Sequence, residues 1–188
     1  MHQRTWMALA GVTLAGLLWT GCAVTRAGYQ SAPYRVVEKD GRVELRAYPA
    51  MRVAETQKGG DDFMRLFRYI SKGNATEQKI AMTTPVFMAG EGTTNAQMAF
   101  VLPETLTNPP APASDQVVVR ELPPATYAVL RFRGGQQGPE DEAARELRAW
   151  MEHRNLPAQG APQFAYFDPP WIPGFLCRNE VMILTQTP

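Results

Sequence analysis

Val43-Glu44-Leu45-Arg46-Ala47-Tyr48-Pro49-Ala50-Met51-Arg52-Val53-Ala54 is matched further along the chain by Val117-Val118-Val119-Arg120-Glu121-Leu122-Pro123-Pro124-Ala125-Thr126-Tyr127-Ala128. Val43 aligns with Val117, Arg46 with Arg120, Pro49 with Pro123 and Ala54 with Ala128, always at the same interval. Each stretch reads as a strand, a proline turn and a second strand, because a β-rich run is broken by a residue that cannot continue a hydrogen-bonded ladder. A glycine pair follows each, Gly59-Gly60 and Gly134-Gly135, and then a helical period begins. Self-similarity on this scale predicts a duplicated structural unit.

The first helix is predicted from Asp61 to Lys72. Acidic residues open it, Lys72 closes it, and Gly73 stands just beyond, which suits the helix dipole and the C-terminal stop together. Phe63, Leu66, Phe67 and Ile70 recur at helical spacing on one face, and Arg65, Arg68 and Lys72 lie along another. The second helix is predicted from Pro139 to Asn155, with Glu140, Asp141 and Glu142 in its first turn and Ala143, Leu147, Trp150 and Met151 on its buried face. Further strands are expected over Ile80 to Met88 and Gln97 to Leu102, then over Gln163 to Phe167 and Glu180 to Thr185. Strands at this density with two helices predict an α+β fold: a pseudo-twofold repeat forming a distorted, mainly antiparallel β-barrel flanked by two helices. Pro103 to Ser114 has no periodicity and reads as the connection between the halves.

Ahead of this unit, Met1 to Arg4 carries one arginine, Trp6 to Trp19 is an uncharged apolar run, and Thr20-Gly21-Cys22 follows. The run is shorter than the ~20 residues that span a bilayer, so a cleaved signal explains it better than a permanent helix. With Leu17-Leu18 upstream and Gly21 before the cysteine, the segment resembles a bacterial lipobox, although Trp19 stands where an aliphatic residue is usual. The expected organisation is a signal peptide over residues 1–21, a lipidated tether over 22–33 beginning at Cys22, and one domain over 34–188. Membrane attachment through that lipid would place the domain in the bacterial envelope. Ala23 after the cysteine resembles the outer-membrane sorting pattern, which implies its periplasmic face.

Composition narrows the function. Among 188 residues, 19 Lys and Arg nearly balance 18 Asp and Glu, so no electrostatic footprint for nucleic acid is present. With two cysteines, one of them Cys22, a disulfide framework is not expected, and with two histidines, one in the signal, a multi-histidine metal site cannot be assembled. The remaining histidine, His153, falls in the last turn of the second helix. There it serves either as a cap for the final carbonyls or as a metal ligand. No nucleophile elbow, phosphate-binding glycine loop or paired metal-ligand motif is visible, which points away from an enzyme.

Three passages resemble the SOUL heme-binding family. They are Tyr34-Arg-Val-Val-Glu38 with Val43 to Tyr48, Asn74 through Lys79-Ile-Ala-Met-Thr-Thr-Pro-Val86, and Phe167-Asp-Pro-Pro-Trp-Ile-Pro173 followed by Arg178-Asn-Glu-Val181. The resemblance implies a twofold pseudo-symmetric barrel with two flanking helices and non-covalent binding of heme or another tetrapyrrole in a shallow cleft along the first helix. Carried onto this chain, Phe63, Met64 and Phe67 become apolar or stacking contacts, Arg65 and Arg68 propionate partners, and Trp171 to Phe175 a lid. A flat π-system gains by lying on rings and thioethers, and carboxylates pair well with guanidinium forks. The chain departs from the pattern at Ile172, where some relatives are basic, and at Cys177, often arginine. Two other readings stay open: a structural or interaction lipoprotein that has lost tetrapyrrole binding, and a hydrolase-like domain using Glu180 in a cleft, as in the effector-binding domains of transcription regulators. For Glu180 the alternative to a cleft role is a strand-entry position, paired with Arg178 or exposed.

Overall fold

The computed structural model describes residues 28–56, 61–89, 97–134, 139–169 and 172–186. The expected signal peptide and Cys22 lie outside them. The elements in chain order are β1 (Gln30–Ser31), β2 (Arg35–Asp40), β3 (Val43–Tyr48), β4 (Met51–Thr56), α1 (Asp62–Ile70), β5 (Thr83–Thr84), β6 (Val86–Ala89), β7 (Gln97–Val101), β8 (Val117–Leu122), β9 (Ala125–Phe132), α2 (Pro139–His153), β10 (Gln159–Tyr166) and β11 (Asn179–Thr185). Gln30–Ser31, expected in the tether, instead pairs in parallel with β5, and Ala32 is buried in the core, so the folded unit takes up chain ahead of Tyr34.

Nine strands form one antiparallel sheet in the order β2-β3-β9-β11-β10-β6-β7-β4-β8. Setting β2 aside, the exchange of β3 with β8, β4 with β9, β6 with β10 and β7 with β11 turns that order into its own reverse. The register obeys the same exchange. Val43 opposite Leu130 and Val117 opposite Thr56 are equivalent pairings, since Thr56 and Leu130 occupy matching repeat positions. The pseudo-twofold is therefore a property of the hydrogen-bonding pattern, and the first strand of each half is paired with the second strand of the other. The described sheet is open, with β2 and β8 at its edges, and makes a distorted, curled barrel.

Alternation along each strand separates three cores. Val43 and Leu45 with Ala128, Leu130, Val181 and Ile183 face α2, where they meet Ala143, Leu147 and Met151. Ala54, Phe100 and Val117 face α1, meeting Leu66, Tyr69 and Ile70. The intervening residues, among them Tyr48, Val53, Val129, Ala165 and Met182, fill the inner face of the curl. Trp150, expected in the core, is only half buried, and its indole Nε1 donates to Asp40 Oδ2 at 2.9 Å. Tryptophan is placed this way when one end of the ring needs a polar partner.

Both predicted helices form, each slightly shorter than expected at its C-terminal end. After α1 the chain is organised by Asn74, which is 4% exposed. Its amide nitrogen donates to Tyr69 O at 2.9 Å and Gln78 O at 2.7 Å, and its Oδ1 accepts from the Gln78 backbone at 3.0 Å. The proline-rich connection packs here too: Tyr69 Oη donates to Pro110 O at 2.9 Å, and the Ala75 N–H donates to Ala111 O at 2.9 Å. Asn74→Ala leaves several buried backbone groups unsatisfied, so we expect a loss of about 2–4 kcal/mol in urea unfolding, with the slope unchanged.

Candidate functional site

At 3.6 residues per turn, Phe63, Phe67, Met64 and Arg68 fall side by side on α1. Leu66, Tyr69 and Ile70 pack against the sheet, at 0%, 1% and 4% exposure. Phe63, Met64 and Phe67 are 36%, 39% and 40% exposed. The sequence places Phe63 and Phe67 on one stripe with Leu66 and Ile70, but the structure splits it. The two phenylalanines are at its solvent edge because Tyr69, an unanticipated core residue, takes the buried sector. Their rings stack 6.0 Å apart at 12°, and Phe63 also sets its edge on Phe100 at 5.6 Å. The result is a short apolar ledge, its rings held in place on one side. Arg68 is exposed beside it, and Arg65 is partly buried with Nη1 3.5 Å from Asp62 Oδ1.

The proposed lid is only partly visible, because Trp171 lies outside the described residues. Phe175 is 69% exposed in a 3-10 turn from Gly174 to Leu176. The Gly134 N–H donates to Gly174 O at 3.1 Å, which ties that turn to the end of β9. His153 is exposed in the last turn of α2, and among the described residues no group of three or more His, Cys, Asp or Glu side chains is arranged to hold a metal. Met64 on α1 is exposed, and Met82 packs against the α1 core.

Glu180 points inward from β11 and is 0% exposed. Its Oε2 accepts from Arg46 Nη1 at 2.6 Å, and its Oε1 accepts from Arg46 Nη2 at 3.1 Å and Arg178 Nη2 at 2.9 Å. Arg131 Nε stands 3.5 Å from the same carboxylate. Glu44 contacts Arg46 from the other side at 2.8 Å, and the Tyr34 ring lies 4.2 Å beneath the Arg46 guanidinium. Burial pushes the Glu180 carboxyl up, but the hydrogen bonds and charge of Arg46, with those of Arg178, outweigh it and hold it below the ordinary glutamate value. Burial likewise opposes, and Arg46 reverses, the shift at Glu44, whose pKa is also lowered. Tyr48 is pushed up to about 12 by burial. The sequence reading anticipated Arg178 as a partner but missed Arg46. An arginine in an alternating strand reads as outward-facing, and its repeat equivalent Arg120 is indeed half exposed, paired with Glu55 at 2.7 Å.

The two candidate constellations thus lie on different lobes of the sheet. α1 and its ledge sit over β4, β7 and β8, whereas the Glu180 network lies between β3, β9 and β11.

The fold is shared with proteins of very different sequence. Over 82% of this chain and 99% of the other it superimposes on the EcmrR C-terminal domain with a TM-score of 0.58 at 13% identity. A hydrolase from Listeria innocua matches with a TM-score of 0.57 at 10% identity, over 80% of this chain and 94% of that one. No curated protein shows significant sequence similarity to it. The family model for the SOUL heme-binding protein matches residues 29–184, almost the whole folded unit. The three sequence motifs, the palindromic sheet and this match agree, and the chain belongs to the SOUL heme-binding protein family.

Proposed function

We propose that this protein is a lipid-anchored envelope protein whose SOUL domain binds heme or another tetrapyrrole non-covalently on the outer ledge of α1. The observation that carries the reading is the exposure of Phe63, Met64 and Phe67 together, while the rest of the helix's apolar residues are packed. Contiguous apolar side chains left open to water on a small domain mark a contact surface. A porphyrin is complementary to this one: its face lies on the stacked rings and the Met64 thioether, and a propionate reaches the Arg68 guanidinium, with Arg65 behind it. Trp171 and Phe175 enter this reading as the lid that the family resemblance implies. The anchor rests on the Leu17 to Cys22 pattern, and Ala23 after the cysteine supports a position on the periplasmic face of the outer membrane.

The rival reading is a structural or interaction lipoprotein that has lost tetrapyrrole binding; Ile172, where some relatives are basic, and Cys177, often arginine, favour it. Hemin titration decides between them. Tetrapyrrole binding predicts a saturable Soret shift near one hemin per chain, weakened about tenfold in Phe67→Ala, since one aromatic contact is worth about 1.5 kcal/mol. Scattered, non-saturating absorbance would exclude it. Cys22→Ala is expected to release the protein from the membrane fraction.

A further inference from the structure

A concave surface lies beside β3 and β9, away from the ledge. The β2–β3 hairpin and the end of β9 enclose a cleft of about 440 Å³ lined by Lys39, Arg42, Arg46, Arg131 and Arg133, with Glu44 as the one carboxylate on its wall. Its geometry is set by the strands. Arg131 lies in β9 and Arg133 just beyond its last residue, Phe132, and both line the cleft. Opposite them Gly41 turns the hairpin with φ +56°, the left-handed backbone that the first position of such a two-residue loop requires, and the next residue is Arg42.

The charges do not cancel. Glu44 serves both Arg46, at 2.8 Å, and Lys39, at 3.4 Å. Glu180, behind the wall, is shared by Arg46, Arg178 and Arg131, and Arg131 is the most distant of the three, at 3.5 Å, and half exposed. Arg42 is held by Glu146 outside the cleft, at 2.7 Å. Arg133 is exposed and has no acidic partner among the described residues. Guanidinium groups converging on a cleft with too few carboxylates fit a tetrahedral oxyanion, which accepts paired N–H bonds from such forks. The buried Glu180–Arg46 pair holds the wall in shape, so the donors are pre-organised.

We propose that this cleft binds a phosphate-bearing anion, independently of the tetrapyrrole ledge. Inorganic pyrophosphate is the probe for a soluble source, and neutral phosphatidylcholine vesicles with or without phosphatidylglycerol test a lipid headgroup. Amide resonances of Gly41, Arg42, Arg131 and Arg133 are followed in each titration. Saturable shifts at these residues support the proposal, and the arm that produces them identifies the source. Arg133→Glu, an exposed change that leaves the Glu180 network intact, is expected to weaken binding at least tenfold without altering hemin titration. Arg42→Ala is the second variant, expected to act in the same direction. Shifts absent in both arms, or shifts unaffected by Arg133→Glu, overturn the proposal.

Discussion

Glu180→Gln is expected to destabilise the fold by about 3–5 kcal/mol, the usual consequence of removing one member of a buried ion pair. The substitution keeps shape and an acceptor but deletes the charge on which Arg46, Arg178 and Arg131 converge. Arg46 is 1% exposed and is left with Glu44 as its remaining carboxylate partner. Replacing both Glu180 and Arg46 by Met should cost much less than the single change, because the uncompensated buried charge goes with its partner. The same network sets the acid limit. Glu180 and Glu44 have lowered pKa values in the fold, so their stabilisation is complete above the unfolded glutamate value of about 4.3 and is lost as pH falls through the folded values. Urea unfolding between neutral pH and about pH 3 should therefore show a steep acid decline in the native protein and a shallower one in Glu180→Gln. Equal slopes would mean that Glu180 is not the charge that matters. An acid–base role for Glu180 sits poorly with this environment, since both of its oxygens are engaged by arginines.

Leu66 and Phe67 are neighbours in sequence and should behave in opposite ways. Leu66 is fully buried against Ala54, Phe100 and Val117, so Leu66→Ala is expected to cost about 2–5 kcal/mol of stability while leaving the hemin affinity of the folded protein unchanged. Phe67 is 40% exposed and stacks on Phe63 at the helix's solvent edge, so Phe67→Ala should cost less than about 1 kcal/mol of stability and yet weaken hemin about tenfold. Thermal melts and hemin titrations on the same two variants separate the effects. A large stability loss in Phe67→Ala would make the ring a core residue after all.

Much of the architecture was legible because the repeat carried it. Val43 to Ala54 and Val117 to Ala128 predicted two equivalent strand pairs, and the sheet order and register obey that equivalence. What the repeat did not reveal was which strand pairs with which. The alignment of Val43 with Val117 is equally compatible with each half closing on itself, and the observed exchange depends on contacts far apart in the chain. The same limit hid the Arg46–Glu180 pair, whose members lie on β3 and β11 and meet only because β9 lies between those strands. The first helix was read correctly as amphipathic. Its boundary between buried and open sides was misjudged, because hydrophobicity alone did not distinguish Phe67, at the edge, from Tyr69, whose hydroxyl finds Pro110 and lets the ring be buried. The expected membrane signal concerns residues outside those described.

The central claim is that the tetrapyrrole sits on the exposed ledge of α1. The most direct measurement is a hemin titration of isotope-labelled protein by nuclear magnetic resonance, in which the paramagnetic iron broadens nearby signals. Saturable broadening centred on Phe63, Met64, Phe67 and Arg68 is the predicted result. Broadening centred on the arginine cleft or on α2, or spread without focus over the surface, would contradict it.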